Sequence, residues 1–129
     1  MPVAFLIIKE AHMNNKKHGT DFERQVIAKL SQSGNVWVHF LSPDERGAQP
    51  FDIIAVKDGI ACAIECKTQD DKNKWFPLSR LEDNQKMAFE KWIACGNGEP
   101  IICVQYKGEI KTLSYTELKK KGRVNLDEI

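Results

Sequence analysis

Asp52, Glu65 and Lys67 bracket the dipeptide Asp58-Gly59, a strong signal for a two-residue hairpin because glycine tolerates the positive φ that a type I′ turn demands. With those two residues as the loop, Lys57 faces Ile60, Val56 faces Ala61, and Asp52 falls directly opposite Glu65. Side chains alternate along a strand, so one face reads Asp52, Ile54, Val56 and, across the turn, Ala61, Ala63, Glu65, Lys67. Carboxylates whose Cβ atoms stand about 5 Å apart repel as cross-strand neighbours. A divalent cation between them turns that penalty into a ligand set. The pattern is costly as scaffold and sensible as a metal site.

The elements that must carry this hairpin can be read from periodicity. Phe22, Val26, Ile27 and Leu30 form an apolar stripe, predicting a helix from Thr20 to about Ser31 that Ser33-Gly34-Asn35 ends. Val36 to Leu41 reads as a strand, Ser42 to Gln49 as a loop, and the hairpin itself as Phe51 to Val56 and Ile60 to Lys67. A charged loop, Gln69 to Trp75, and Phe76-Pro77-Leu78 lead into a second helix, where Ser79 and Glu82 have capping-box spacing. Leu81, Gln85, Ala88, Phe89 and Trp92 make its inner stripe, and Gly96-Asn97-Gly98 stops it. Ile101 to Tyr106 and Ile110 to Leu113 are strands around a Lys107-Gly108 turn, and Tyr115 to Lys121 is a short helix. The expected fold is α/β, a mixed sheet flanked by helices in one domain over residues 1–129, with 1–17 an apolar arm (Val3 to Ile8) and polar break and 18–118 the core.

In this order the elements resemble the PD-(D/E)xK nuclease superfamily, whose fold is that of the restriction endonucleases. Within it the chain is similar to the small Holliday-junction resolvases, both the archaeal type and the RecU type. Gly19-Thr20-Asp21-Phe22-Glu23-Arg24 matches the opening helix, and Pro50-Phe51-Asp52-Ile53-Ile54-Ala55 with Ala63-Ile64-Glu65-Cys66-Lys67 matches the catalytic hairpin. Phe76-Pro77-Leu78 followed by Gln85 resembles the RecU-type segment, and Gly98-Glu99-Pro100-Ile101 is similar to both. The chain departs from the pattern in carrying Phe51 between Pro50 and Asp52. Ser42 to Gln49 is also too short for the RecU-type stalk, which points to a compact archaeal-like or phage-like resolvase.

The residue chemistry agrees. Asp52, Glu65 and the backbone carbonyl of Cys66 are hard oxygen donors suited to Mg²⁺, with Mn²⁺ able to substitute. Lys67 stands where an ammonium can hold the attacking water and offset charge in the transition state. An ordinary surface ion pair between Glu65 and Lys67 is disfavoured because Ala63, Ile64 and Cys66 mark a strand with little exposure. Glu23 has two readings: a capping box with Thr20, or the additional metal-binding Glu, direct or through water, that the resemblance implies. Gln85 interrupts an apolar stripe and faces either the site or a polar partner in the core; Gln69 is either at the site's edge or a loop amide, and Ser42 either at the site's edge or a turn-forming Ser before Pro43. His18 and His39 lack partners at ligand spacing, and Trp37, Trp75 and Trp92 read as core or interface, with Trp75 also placed to pack on a nucleotide.

The 129 residues carry a net charge of +1, so any nucleic-acid contact must come from local clusters. Those are Lys16 and Lys17, Lys72 and Lys74, and Lys119, Lys120, Lys121 with Arg123. The four cysteines show no CxxC spacing and read as buried free thiols, and Val3 to Ile8 is too short to span a bilayer, so a soluble cytoplasmic protein is expected. The function expected is a metal-dependent endodeoxyribonuclease cutting four-way DNA junctions as a homodimer, with the apolar arm and the second helix as candidate interface. The alternatives are another nuclease on the same fold, or a DNA-binding module with a vestigial site.

Overall fold

The Asp58-Gly59 turn organises the centre of the sheet. In the computed structural model, which describes residues 19–41 and 49–129, both turn residues have positive φ (53° and 76°), as a type I′ turn requires. Strand β2 (Ile53–Lys57) and strand β3 (Ile60–Thr68) pair antiparallel across it in the register the turn dictates, Lys57 with Ile60 and Val56 with Ala61. Strand β1 (Trp37–Phe40) pairs antiparallel with β2 at one edge. On the other side β3 runs parallel to β5 (Ile101–Tyr106), which turns back at Lys107-Gly108 onto β6 (Glu109–Ser114). The five-stranded order is β1-β2-β3-β5-β6, a mixed sheet of the kind the sequence predicts.

Helix α1 (Gly19–Ser31) covers one face, burying Phe22, Val26 and Leu30 against Ile53, Ala55, Cys62, Ile64 and Cys66. Helix α2 (Asp83–Ala94) and helix α3 (Tyr115–Lys121) serve the other face, where Phe89, Tyr115 and Leu118 pack with Phe51, Ala63, Ile102 and Val104. The parallel β3–β5 pair is buried on both sides, as such pairs require.

Several sequence expectations are corrected here. The strand expected from Phe51 begins at Ile53, because Asp52 is bulged. Its amide bonds the Ile64 carbonyl (3.1 Å) although Ile64 already pairs with Ile53. Phe51 and Ile53 lie on opposite faces of the sheet, whereas residues two apart in a regular strand share one. Two residues therefore meet one, a β-bulge, and the extra Phe51 of the motif is a ring anchored between Phe89 and Trp92 (centroids 6.1 and 5.4 Å). The second helix starts a turn later than Ser79: Leu78–Arg80 is a 3-10 turn, and the capping box is Glu82 with Gln85. Helix α1 is already helical at Gly19, so Thr20 lies inside it and is not its cap.

Two short strands, β4 (Trp75–Pro77) and β7 (Arg123–Asn125), pair into a second small sheet that no periodicity announced. Trp37 is not core but 58% exposed at the sheet edge, stacked on His39, and Cys95 is exposed while Cys62, Cys66 and Cys103 are buried free thiols. Among the described residues no helix is long and apolar enough to cross a membrane. The apolar arm, Lys16, Lys17, His18 and Ser42 lie outside the described residues.

Candidate active site

The bulge re-aims Asp52. It is not the ladder partner of Glu65, yet its Oδ2 accepts the Cys66 amide at 2.9 Å, which draws the carboxylate across the strand pair toward Glu65. Both acids are buried, Asp52 at 4% and Glu65 at 3% exposure, and the charge of Asp52 acts on Glu65. Lys67 follows on the same face of β3, its ammonium 3.4 Å from Glu65 Oε2.

Helix α2 secures the pair from the far side. Gln85 uses both ends of its amide: Oε1 accepts the Glu82 amide (3.0 Å) in the capping box, and Nε2 donates to Glu65 Oε2 (2.7 Å). The Gln that breaks the apolar stripe therefore faces the site and orients Glu65 from a rigid helix end. Gln49 does the same for Asp52, with Nε2 donating to Oδ1 at 2.5 Å, while Asn84 in the first turn of α2 holds the Gln49 carbonyl at 3.2 Å. Sequence reasoning missed Gln49 and Asn84. The one available signal was a polar residue just before Pro50, three positions ahead of Asp52.

Burial sets the electrostatics. The Glu65 carboxyl is pushed up to about 8, first by burial and then by the charge of Asp52, with Lys67 opposing. Glu23, projecting from α1, is raised to about 7 by burial and by Asp52. Asp52 is raised by burial, while the Cys66 and Gln49 amides and Lys67 pull it down. Burial and the charge of Asp52 thus hold Glu65 and Glu23 back from ionising, and Glu65 Oε1 is buried with no hydrogen-bond partner.

That orphaned oxygen, on a carboxylate within the field of Asp52, fits a hard cation. Among the described residues no three His, Cys, Asp or Glu side chains converge on one point, so Glu23 adds charge at the site without completing a three-side-chain cage. Two carboxylates and a main-chain carbonyl suit an ion that keeps several waters.

Gln69 takes the loop-amide role, the alternative to a place at the site's edge. Its amide is spent on the loop, with Nε2 donating to the carbonyls of Asn73 (3.0 Å) and Trp75 (2.8 Å) and Oε1 accepting from Arg80, whose guanidinium also holds the Thr68 carbonyl (2.9 Å). It fixes the Asp70 to Lys74 loop instead of touching the acids. The basic clusters are also divided: Lys119 pairs with Glu90 (2.7 Å) and Lys121 with Glu117 (3.5 Å), while Arg123 lies over the Trp75 ring.

Comparison with known proteins agrees with this geometry. A family model described as archaeal Holliday junction resolvase (hjc) matches residues 14–128. The crossover junction endodeoxyribonuclease Hjc of Sulfolobus acidocaldarius is 25% identical over 109 residues, covering 84% of this chain and 73% of that protein. The solved structure of Archaeoglobus fulgidus Hjc, a Holliday junction resolvase, matches with a TM-score of 0.63 over 83% of this chain and 86% of that one, at 14% identity, a likeness of fold. With the family match spanning nearly its whole length and the acid pair seated on the expected hairpin, the chain belongs to the archaeal Holliday junction resolvase family, an endodeoxyribonuclease family.

Proposed function

We propose that this resolvase cuts four-way DNA junctions as a homodimer, using Mg²⁺ (or Mn²⁺) held by Asp52, Glu65 and the Cys66 carbonyl. The observation that carries this reading is the buried, unpartnered Glu65 Oε1 beside a second buried carboxylate. Such an ion, when bound, polarises the phosphoryl oxygen and acidifies the attacking water. Lys67 positions that water and offsets the charge of the transition state. Gln85 and Gln49 fix the two carboxylates, and Glu23 acts through water from α1. Ser42 keeps its candidacy for the site's edge on sequence grounds alone. Paired cuts on opposing strands need two sites related by a two-fold axis, and Met87 (72% exposed) and Ile93 on α2 offer apolar surface for such a contact. The three buried thiols suit a reducing cytoplasm.

The stability of the metal-free protein tests the site. Folded carboxyl values lie above the ordinary 4.5, so the stability they contribute is complete below that value and lost as pH rises through about 7 and 8. The melting temperature in chelator should fall across that window. Millimolar Mg²⁺ should restore it near the upper end and change little near the lower, where protons hold the acids instead. A metal-free stability that is flat across the window, or an equal Mg²⁺ effect at both ends, would contradict the site.

DNA affinity should rest on phosphate contacts from Lys72, Lys74 and Arg123, with Lys120 contributing, Lys121 contributing despite its longer pairing with Glu117, and Lys119 least because of its close pairing with Glu90. Lys16 and Lys17 add to this by charge alone. Replacing Lys72 and Lys74 together with Gln should lower the slope of log affinity against log salt by about 2, equally for junctions of different sequence. A slope unchanged by the double substitution would remove this loop from the interface.

A further inference from the structure

A groove of about 290 Å³ opens on the small β4–β7 sheet, lined by residues other than the acid pair, and its walls combine an aromatic ring, cations and hydrogen-bonding groups. Trp75 forms one wall, and the Arg123 guanidinium lies 3.9 Å from its ring centroid. Lys121 adds a second cation at the rim, and Lys74 approaches the same ring at 5.9 Å. Asn125 and Glu128 supply an amide and a carboxylate, and Val124 an apolar surface. A groove reading only backbone would be basic throughout. Here the cations sit with an aromatic plane and with hydrogen-bonding groups suited to the edge of a base.

The groove is also built rigidly onto the catalytic strand. Gln69, two residues past Lys67, donates to the Trp75 carbonyl at 2.8 Å and is itself held by Arg80. Trp75 pairs with Asn125 across β4–β7, and the Leu126 amide bonds the Lys74 carbonyl at 2.7 Å. A ligand stacked on Trp75 is thereby fixed relative to Lys67 and Glu65.

We infer that this groove binds one unstacked nucleotide of the junction, its base on Trp75 and its phosphate on Arg123 and Lys121. The inference rests on the junction-cutting reading above and adds to it: a four-way junction differs from duplex in offering unstacked bases at its exchange point, and a stacking site held at fixed distance from the acids would read that difference. Recognition of branched DNA would then come partly from base stacking and not from charge alone.

The test measures binding in chelator of a four-way junction, a short oligothymidylate and a linear duplex to wild type, Trp75→Leu and Trp75→Phe. Trp75→Leu should weaken junction and oligothymidylate binding by about 5- to 150-fold, leave duplex binding nearly unchanged, and be largely rescued in Trp75→Phe. Equal loss on duplex and junction, or no loss, would overturn the subsite and leave the Trp75–Arg123 pair a structural stack. A wild-type readout needs no folded variant: 5-iodouracil at the exchange point should photocrosslink to Trp75, and crosslinks that avoid Trp75 would overturn the inference. If wild type itself did not prefer junction to duplex, the junction-cutting reading would fail, which is a distinguishable result.

Discussion

Asp52→Asn should cut junction cleavage by at least about 100-fold while leaving metal-free junction binding intact or tighter. The substitution keeps size and backbone, so the bulge and the Cys66 amide contact to the side chain can persist, but it replaces one of two buried carboxyls with a neutral amide. Losing the metal's share of transition-state stabilisation, about 3 kcal/mol or more, accounts for a rate loss of that order. Binding should survive because a phosphate approaching the site no longer meets two carboxylates. Metal-free stability at neutral pH should rise, since Asp52 is a cause of the raised values of both Glu65 and Glu23. Cleavage of a labelled junction in Mg²⁺, with a binding shift in chelator, checks both halves. Near-normal cleavage would remove Asp52 from the chemistry.

Lys67→Met separates a catalytic ammonium from a mere ion pair. Methionine keeps an unbranched stem but no charge, so packing along β3 changes little. If Lys67 serves only to neutralise Glu65, its loss should weaken folding in chelator and be compensated by saturating Mg²⁺. As the group that holds water and offsets transition-state charge, its loss should lower cleavage about 100-fold or more even at saturating Mg²⁺. Junction affinity in chelator should change by less than about 10-fold, as expected for one charge at the DNA surface. Full recovery of cleavage with excess metal would confine Lys67 to the ion pair at 3.4 Å.

The sequence disclosed the hairpin because a turn of Asp and Gly dictates both turn type and register, and the register then places Glu65 and Lys67 on one face. Helices and the inner strands followed from their periods. The bulge was invisible for a physical reason: a period-two pattern shows where side chains alternate, not where one residue is absorbed, and Phe51 stood out only as a departure from a motif. The capping box was misplaced because Ser79–Glu82 and Glu82–Gln85 have the same spacing, and Glu82 is not a favoured cap residue by type. Strands β4 and β7 have three residues each, too few for any period, and are fixed by tertiary pairing. Gln49, Asn84 and Arg80 were missed because a polar side chain near a loop has many possible partners until the fold selects one. Gln85 was legible as a residue that must find partners, but which partners only the packing of α2 against β3 could decide.

The most direct test of the central claim is strand-specific cleavage of a labelled four-way junction by the wild-type protein in Mg²⁺, run beside a flap and a linear duplex of the same sequence. The expected result is paired, symmetric cuts on two opposing junction strands, abolished by chelator, with flap and duplex left essentially uncut. Equal cutting of all three substrates, or single unpaired nicks in the junction, would contradict a dimeric junction resolvase and leave only a nuclease on the same fold.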